Sequence, residues 1–187
     1  MKIIAFIAFG IIGISASAQE FAFELWHEGK LILDSGDTLR GSIKYDLQSD
    51  LIQYQFNKES KPESYTARKI IFFEIFDSTV KRYRVFYSLP YSSVGQYKAP
   101  VFFELLEEGK LTVLCREFVE YRTTSSSLYY YGNYSRLVLI NKYFLLNEKG
   151  DIEEYKGKKN DWYDLMQGKK DEVQKYVKSN RLDLDDK

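Results

Sequence analysis

Few side chains in this chain could perform nucleophilic, acid–base or metal chemistry. Asp34-Ser35-Gly36 matches the Asp-Ser/Thr-Gly core of aspartic proteases, and the apolar Leu31-Ile32-Leu33 precedes it as that site requires. The chemistry needs two carboxylates sharing a proton, so a second copy of the chain would have to supply the other. Asp37 stands where a small residue is normal and would crowd such a dyad, and Asp-Ser-Gly-Asp between two strands is also ordinary hairpin-loop composition. His27 keeps step with Phe21, Phe23 and Leu25 at a strand end, and reads as a histidine satisfied locally. Cys115 alternates with Leu111, Val113 and Val119 and reads as a small buried hydrophobe, with an intermolecular disulfide as the alternative. Arg116 points to the other face of that strand and does not activate the thiol. One His and one Cys cannot complete a zinc site. The acidic groups (Asp34 with Asp37, Glu153 with Glu154, Asp183 with Asp185 and Asp186) lack the calcium-loop spacing and read as solvated surface. No metal, cofactor or catalytic residue is therefore expected. Carboxylate-only catalysis, as in glycosidases, stays open without a nameable pair.

The feature that points furthest toward function is aromatic. Tyr87, Tyr91 and Tyr97 sit in or beside a loop of Ser, Pro, Gly and Gln, while Tyr129, Tyr130, Tyr131 and Tyr134 accompany Ser125-Ser126-Ser127, Gly132 and Asn133. One predicted hairpin, 101–121, separates the two segments. A hairpin returns the chain to its starting end, so both segments are expected at one end of the sheet. Tyr among Ser, Gly and Asn combines rigid contact area with polar tips, as adaptable binding surfaces do. Tyr is also simply a good strand residue at a sheet rim.

The elements that must carry these residues are mostly strands. From residue 21 to about 155, runs rich in Val, Ile, Tyr, Phe and Thr are punctuated by Gly, Asp, Asn and Ser. A first hairpin is expected over 21–34, turning at Glu28-Gly29-Lys30, and a second turn at Asp34-Ser35-Gly36-Asp37. Over 38–45 the alternation is clearest: Leu39, Gly41, Ile43 and Tyr45 share a buried face, and Thr38, Arg40, Ser42 and Lys44 a wet one. Further strands are expected at 51–56, 70–76, 81–87, 101–106, 111–121, 137–140, 143–146 and 152–155, with a polar loop over 57–63. Glu-Gly-Lys-Leu occurs at 28–31 and again at 108–111, and reads as one turn chemistry used twice. After Asn160 the period becomes helical: Trp162, Leu165 and Met166, then Val173, Tyr176 and Val177. Two short helices are expected over 160–180, broken near Gly168, with Asp171 opening the second and Asn180 ending it.

Export is expected from the first residues of the chain. Met1-Lys2, the apolar run 3–14 and Ser15-Ala16-Ser17-Ala18 together have the form of a signal peptide over residues 1–18. An uncleaved anchor is the competing reading, although the run is short for a bilayer. The mature chain, 19–187, is expected to be a single domain, with the antiparallel sheet over 19–157 and no transmembrane helix. It would act in the periplasm, at the cell surface or outside the cell. With 27 Lys plus Arg against 27 Asp plus Glu, the chain lacks the basic excess of a nucleic-acid binder.

Gly36-Asp37-Thr38-Leu39-Arg40-Gly41-Ser42-Ile43 and the segment 102–111, with the Lys-rich close over 171–184, resemble an uncharacterised family of small secreted β-rich proteins common in Bacteroidetes. The resemblance covers most of the mature chain and implies a secreted β fold. It carries no established activity and so no catalytic residue.

The expected architecture is mainly β: an antiparallel meander forming a barrel or curved sandwich, with two short C-terminal helices. Three functions fit. The first is a non-catalytic envelope module that binds a protein or glycan through the Tyr-rich loops. The second is a lipocalin-like carrier, which needs an enclosed apolar cavity, though a Gly-x-Trp signature is missing near Trp26. The third is a small outer-membrane barrel, against which the charged C-terminal end counts. The oligomeric state is not legible.

Overall fold

The computed structural model describes residues 21–92, 95–124, 134–156 and 169–180. The expected signal peptide, the first expected helix and Tyr129, Tyr130 and Tyr131 lie outside these residues. Among the described residues there are ten strands: β1 (His27–Leu33), β2 (Thr38–Asp46), β3 (Leu51–Gln55), β4 (Glu63–Thr66), β5 (Ile70–Asp77), β6 (Arg82–Tyr91), β7 (Ala99–Glu107), β8 (Leu111–Thr124), β9 (Tyr134–Asn147) and β10 (Ile152–Tyr155). They form one antiparallel sheet in the order β10-β9-β8-β7-β6-β5-β1-β2-β3-β4. A single helix follows among the described residues, α1 (Lys170–Ser179), with Asp171 and Glu172 in its first turn and the Asn180 N–H returned to the Tyr176 carbonyl at 3.0 Å.

The sheet curls without closing. Phe73, Phe86 and Phe102, from β5, β6 and β7, surround Tyr45 of β2 at ring distances of 5.6 Å each. In a flat sheet β2 and β7 would stand about 19 Å apart, four strand spacings. The rings meet only because the strands between them bend around an inner face. The chain imposes the same bend: a turn of Ala67 to Lys69, closed by Lys69 N–H to the Thr66 carbonyl at 2.9 Å, carries it from β4 to β5, also four strands away. The barrel expectation is therefore corrected. Among the described residues the sheet keeps two edges, β4 and β10, and no second sheet faces it, so the curved-sandwich alternative is corrected as well. The antiparallel, mainly β meander stands as expected.

Two cores explain why the sheet stays open. Leu31, Ile43, Ile52, Phe73 and Phe102 belong to one buried cluster, whereas Phe103, Leu114 and Phe144 form another. Consecutive strand residues point to opposite faces, so Phe102 and Phe103 put the clusters on opposite sides of β7. Tyr91 of β6 reaches Phe144 of β9 at 5.3 Å across two intervening strands, so the sheet bends toward this second face too. The strands that bend toward the second face are drawn away from closing around the first.

Other corrections are local. Glu28, Gly29 and Lys30 are not a turn; they lie within β1, and Phe21 leads into a short 3-10 turn at Ala22–Glu24. At Gly29 a Cβ would strike the Glu74 carbonyl oxygen, so this glycine serves close strand approach. Gly109-Lys110 does turn, between β7 and β8, so the repeated tetrapeptide has two structures. Strand β4 lies where no strand was expected. The segments 137–140 and 143–146 are one strand, because Asn141 and Lys142 continue the ladder opposite Glu117 and Arg116.

Candidate functional site

Alternation along β1, β2 and β5 sends Leu31, Ile43 and Phe73 inward and leaves their neighbours outward. On that outer face Glu28, Lys30, Arg40 and Ser42, with Glu74 from β5, floor an open groove of about 550 Å³. Lys30 pairs with Arg40 across β1/β2 and with Glu74 across β1/β5. Two cations face each other there, and the Glu74 carboxylate at 3.1 Å from Lys30 Nζ offsets them. Gly29 and Gly41, directly paired between these residues, line the floor through their backbones, since alternation turns both toward the inner face.

Aromatic rings flank this charged floor. Phe56, just beyond β3, is 70% exposed. At the other side Phe76 and Tyr83 are register partners across β5/β6 and meet edge to face at 5.1 Å. Tyr83 is 66% exposed, although its ring has one apolar neighbour already in contact. Large rings left in water on a rigid sheet beside convergent polar groups are the kind of feature that marks a binding surface.

The tyrosines singled out from sequence divide between core and surface. Tyr87 is half-buried and packs on Phe72 at 5.5 Å. Tyr91 is half-buried against Phe103 and Phe144, and burial, then the Glu154 charge, raise its hydroxyl above the usual range. Tyr97 is 72% exposed and its hydroxyl accepts a hydrogen bond from Arg68 Nη2 at 2.9 Å. Tyr134 opens β9 opposite Thr124; its side chain is outside the description. The pairs Tyr91 with Ala99 and Thr124 with Tyr134 lie at the same end of the sheet, as expected of the strand ends that flank the two Tyr-rich segments. Tyr121, 73% exposed on β8 near that end, was missed because it read as the last residue of a strand.

The remaining candidates are structural. Asp34 and Asp37 are exposed; Asp34 meets Lys69 at 3.3 Å and Asp37 accepts from Ser35 Oγ at 2.8 Å. His27 is buried with Nδ1 3.2 Å from the Phe76 carbonyl and Nε2 2.7 Å from that of Ala22. Cys115 is a buried free thiol, and burial, then the charges of Glu104 and Glu117, push it up to about 12.

Sequence reading passed over a buried ionic cluster. The Arg84 guanidinium holds Glu104 through Nε at 3.0 Å and Nη2 at 2.6 Å, Asp77 at 3.1 Å and Glu117 at 2.8 Å, while Arg82 reaches Glu104 at 2.7 Å. The available signal was register: Arg84 shares the inward face with Phe86, and Glu104 with Phe102. Each carboxylate is held by a guanidinium, which suits a structural clamp.

No protein-family model, curated protein or solved structure matches the chain.

Proposed function

We propose that this chain is an exported, non-catalytic binding module of the cell envelope, and that it engages a protein or glycan partner through the outer-face groove. The observation that carries the reading is the exposure of Phe56 and Tyr83 on either side of a polar floor built on paired strands. The floor and Tyr83 are strand-borne and lose little freedom on binding, so that part of the surface is organised before a partner arrives. The leader over 1–18 and the resemblance to secreted β-rich proteins support an exported location.

The test is cosedimentation with purified envelope fractions. Wild type is expected to cosediment. The double variant Phe56→Ser/Tyr83→Ser is expected to keep its circular dichroism and melting profile and to stay in the supernatant. Unchanged cosedimentation rejects the groove. A second contact surface, the Tyr-bearing end, is favoured by the exposure of Tyr97 and Tyr121, and Tyr97→Ser/Tyr121→Ser in the same assay tests it. The carrier reading lacks support, because stacked and edge-on rings occupy the inner face. A membrane barrel requires a closed sheet, and this one has two edges.

A further inference from the structure

We infer that the groove takes a neutral oligosaccharide, laid across the strands with sugar rings on Phe56 at one side and on Tyr83 at the other. The inference rests on the reading of the groove as the contact surface and adds the class of its occupant. Three observations lead to it.

The first is charge balance. Glu28 and Glu74 stand against Lys30 and Arg40, two carboxylates and two cations. An anionic ligand would meet both carboxylates, and a cationic one both cations. A hydroxyl both donates and accepts, so a polyol can use either sign of side chain without carrying charge itself.

The second is the arrangement of apolar and polar groups. A protein interface is apolar and aromatic at its centre, depleted of charge there and polar at its rim. This groove is the reverse: charges occupy the floor, and Phe56 stands on one flank with Phe76 and Tyr83 on the other. A pyranose suits that order, because its C–H face can lie on the electron-rich face of an aromatic ring while its hydroxyl edge turns toward the charged floor.

The third is length. Phe56 follows β3 and Tyr83 lies on β6, four strand positions away in the sheet. Contact with both flanks therefore spans five neighbouring strands, which suits several sugar rings in a row better than one.

The experiment is affinity electrophoresis of the mature protein in gels containing dextran, mannan, mixed-linkage β-glucan or polygalacturonate. At least one neutral polymer is expected to retard wild type, with polygalacturonate weaker. Phe56→Ala and Tyr83→Ala are each expected to weaken retardation about ten-fold while keeping the wild-type melting temperature, as loss of an anchoring aromatic does. The monosaccharide of the retarding polymer is expected not to compete at concentrations where its oligomer does. Retardation by none of the neutral polymers, stronger retardation by polygalacturonate, or retention unaffected by both substitutions overturns the inference. A photo-cross-linking residue at position 56, used in intact producing cells, separates the two levels. A cross-linked protein without neutral-polymer retention refutes the sugar and keeps the groove. Neither cross-link nor retention refutes both.

Discussion

Arg84 is the hub of the buried ionic cluster. It is buried, with three carboxylates around one guanidinium. A buried ion pair adds little over well-packed apolar residues, but removing one partner strands the others without water. Arg84→Met is therefore expected to lower the unfolding free energy in urea by about 3–5 kcal/mol. Arg82→Met, at a side chain 49% exposed, is expected to cost no more than about 1 kcal/mol. The carboxylates should also give the fold opposing pH responses. Burial raises Glu117 above the ordinary 4.5, more than Arg84 pulls it down. Folding then favours its protonated form, so this contribution is full below 4.5 and lost as pH rises through the raised folded value. Asp77 behaves in the other sense: burial pushes it up, but hydrogen bonds from Thr79 and Arg84 outweigh that and hold it below 3.8. Its contribution is present above 3.8 and lost as pH falls through the lowered folded value. Urea midpoints followed against pH are expected to lose the first slope in Glu117→Gln and the second in Asp77→Asn. Cys115, with its thiol at about 12 and buried, is expected not to react with a disulfide reagent at neutral pH until urea unfolds the chain.

At the scale of elements the two Glu-Gly-Lys-Leu segments make a controlled comparison. Gly29 lies inside β1 with the Glu74 carbonyl and Ile43 Cδ1 where a Cβ would go. Gly109 sits in the β7–β8 turn, where a Cβ would meet nothing closer than 3.5 Å. Gly29→Ala is expected to destabilise by about 1–3 kcal/mol, as overpacking does. Gly109→Ala should stay within about 0.5 kcal/mol, as at an ordinary surface position. Thermal unfolding of the two variants decides it. The same logic explains β9. Asn141-Lys142 reads as a break, yet Lys142 is placed 5.2 Å over the Phe118 ring and 3.6 Å from Glu154. Its neighbours on β8 and β10 supply what a polar residue in mid-strand needs.

The whole molecule is governed by curvature in two directions. The Tyr45 hydroxyl donates to Asp50 at 2.5 Å, and Asp50 meets Arg116 of β8 at 3.4 Å. Burial, then the Asp50 charge, hold that hydroxyl well above the usual tyrosine range, so it remains a donor. These contacts tie the β2–β3 turn to a strand five positions away. Phe102 and Phe144 anchor the opposite cores and share no ring partner, the first touching Tyr45 and Phe73 and the second Tyr91 and Phe103. Each Phe→Ala change is expected to cost about 3–5 kcal/mol. The double variant should match their sum within about 0.5 kcal/mol in urea denaturation. A larger departure would mean that the two cores behave as one.

Local patterning carried the strands at 38–45, 70–76 and 152–155, the Asp34–Asp37 turn, the inward side of β2 and the burial of Cys115. Each of these depends on neighbours a few residues away, where period-two alternation and turn chemistry act directly. It could not carry the role of Gly29, the partners of Arg84 or the unbroken β9, because each depends on a strand distant in the chain. Nor could it carry the groove. Phe56, Phe76 and Tyr83 look like scattered strand residues until β5 pairs with β1 and brings three separate segments onto one face. The open form has the same origin: apolar residues on both sides of β7 pull the sheet two ways, and that contest exists only once the strands are side by side.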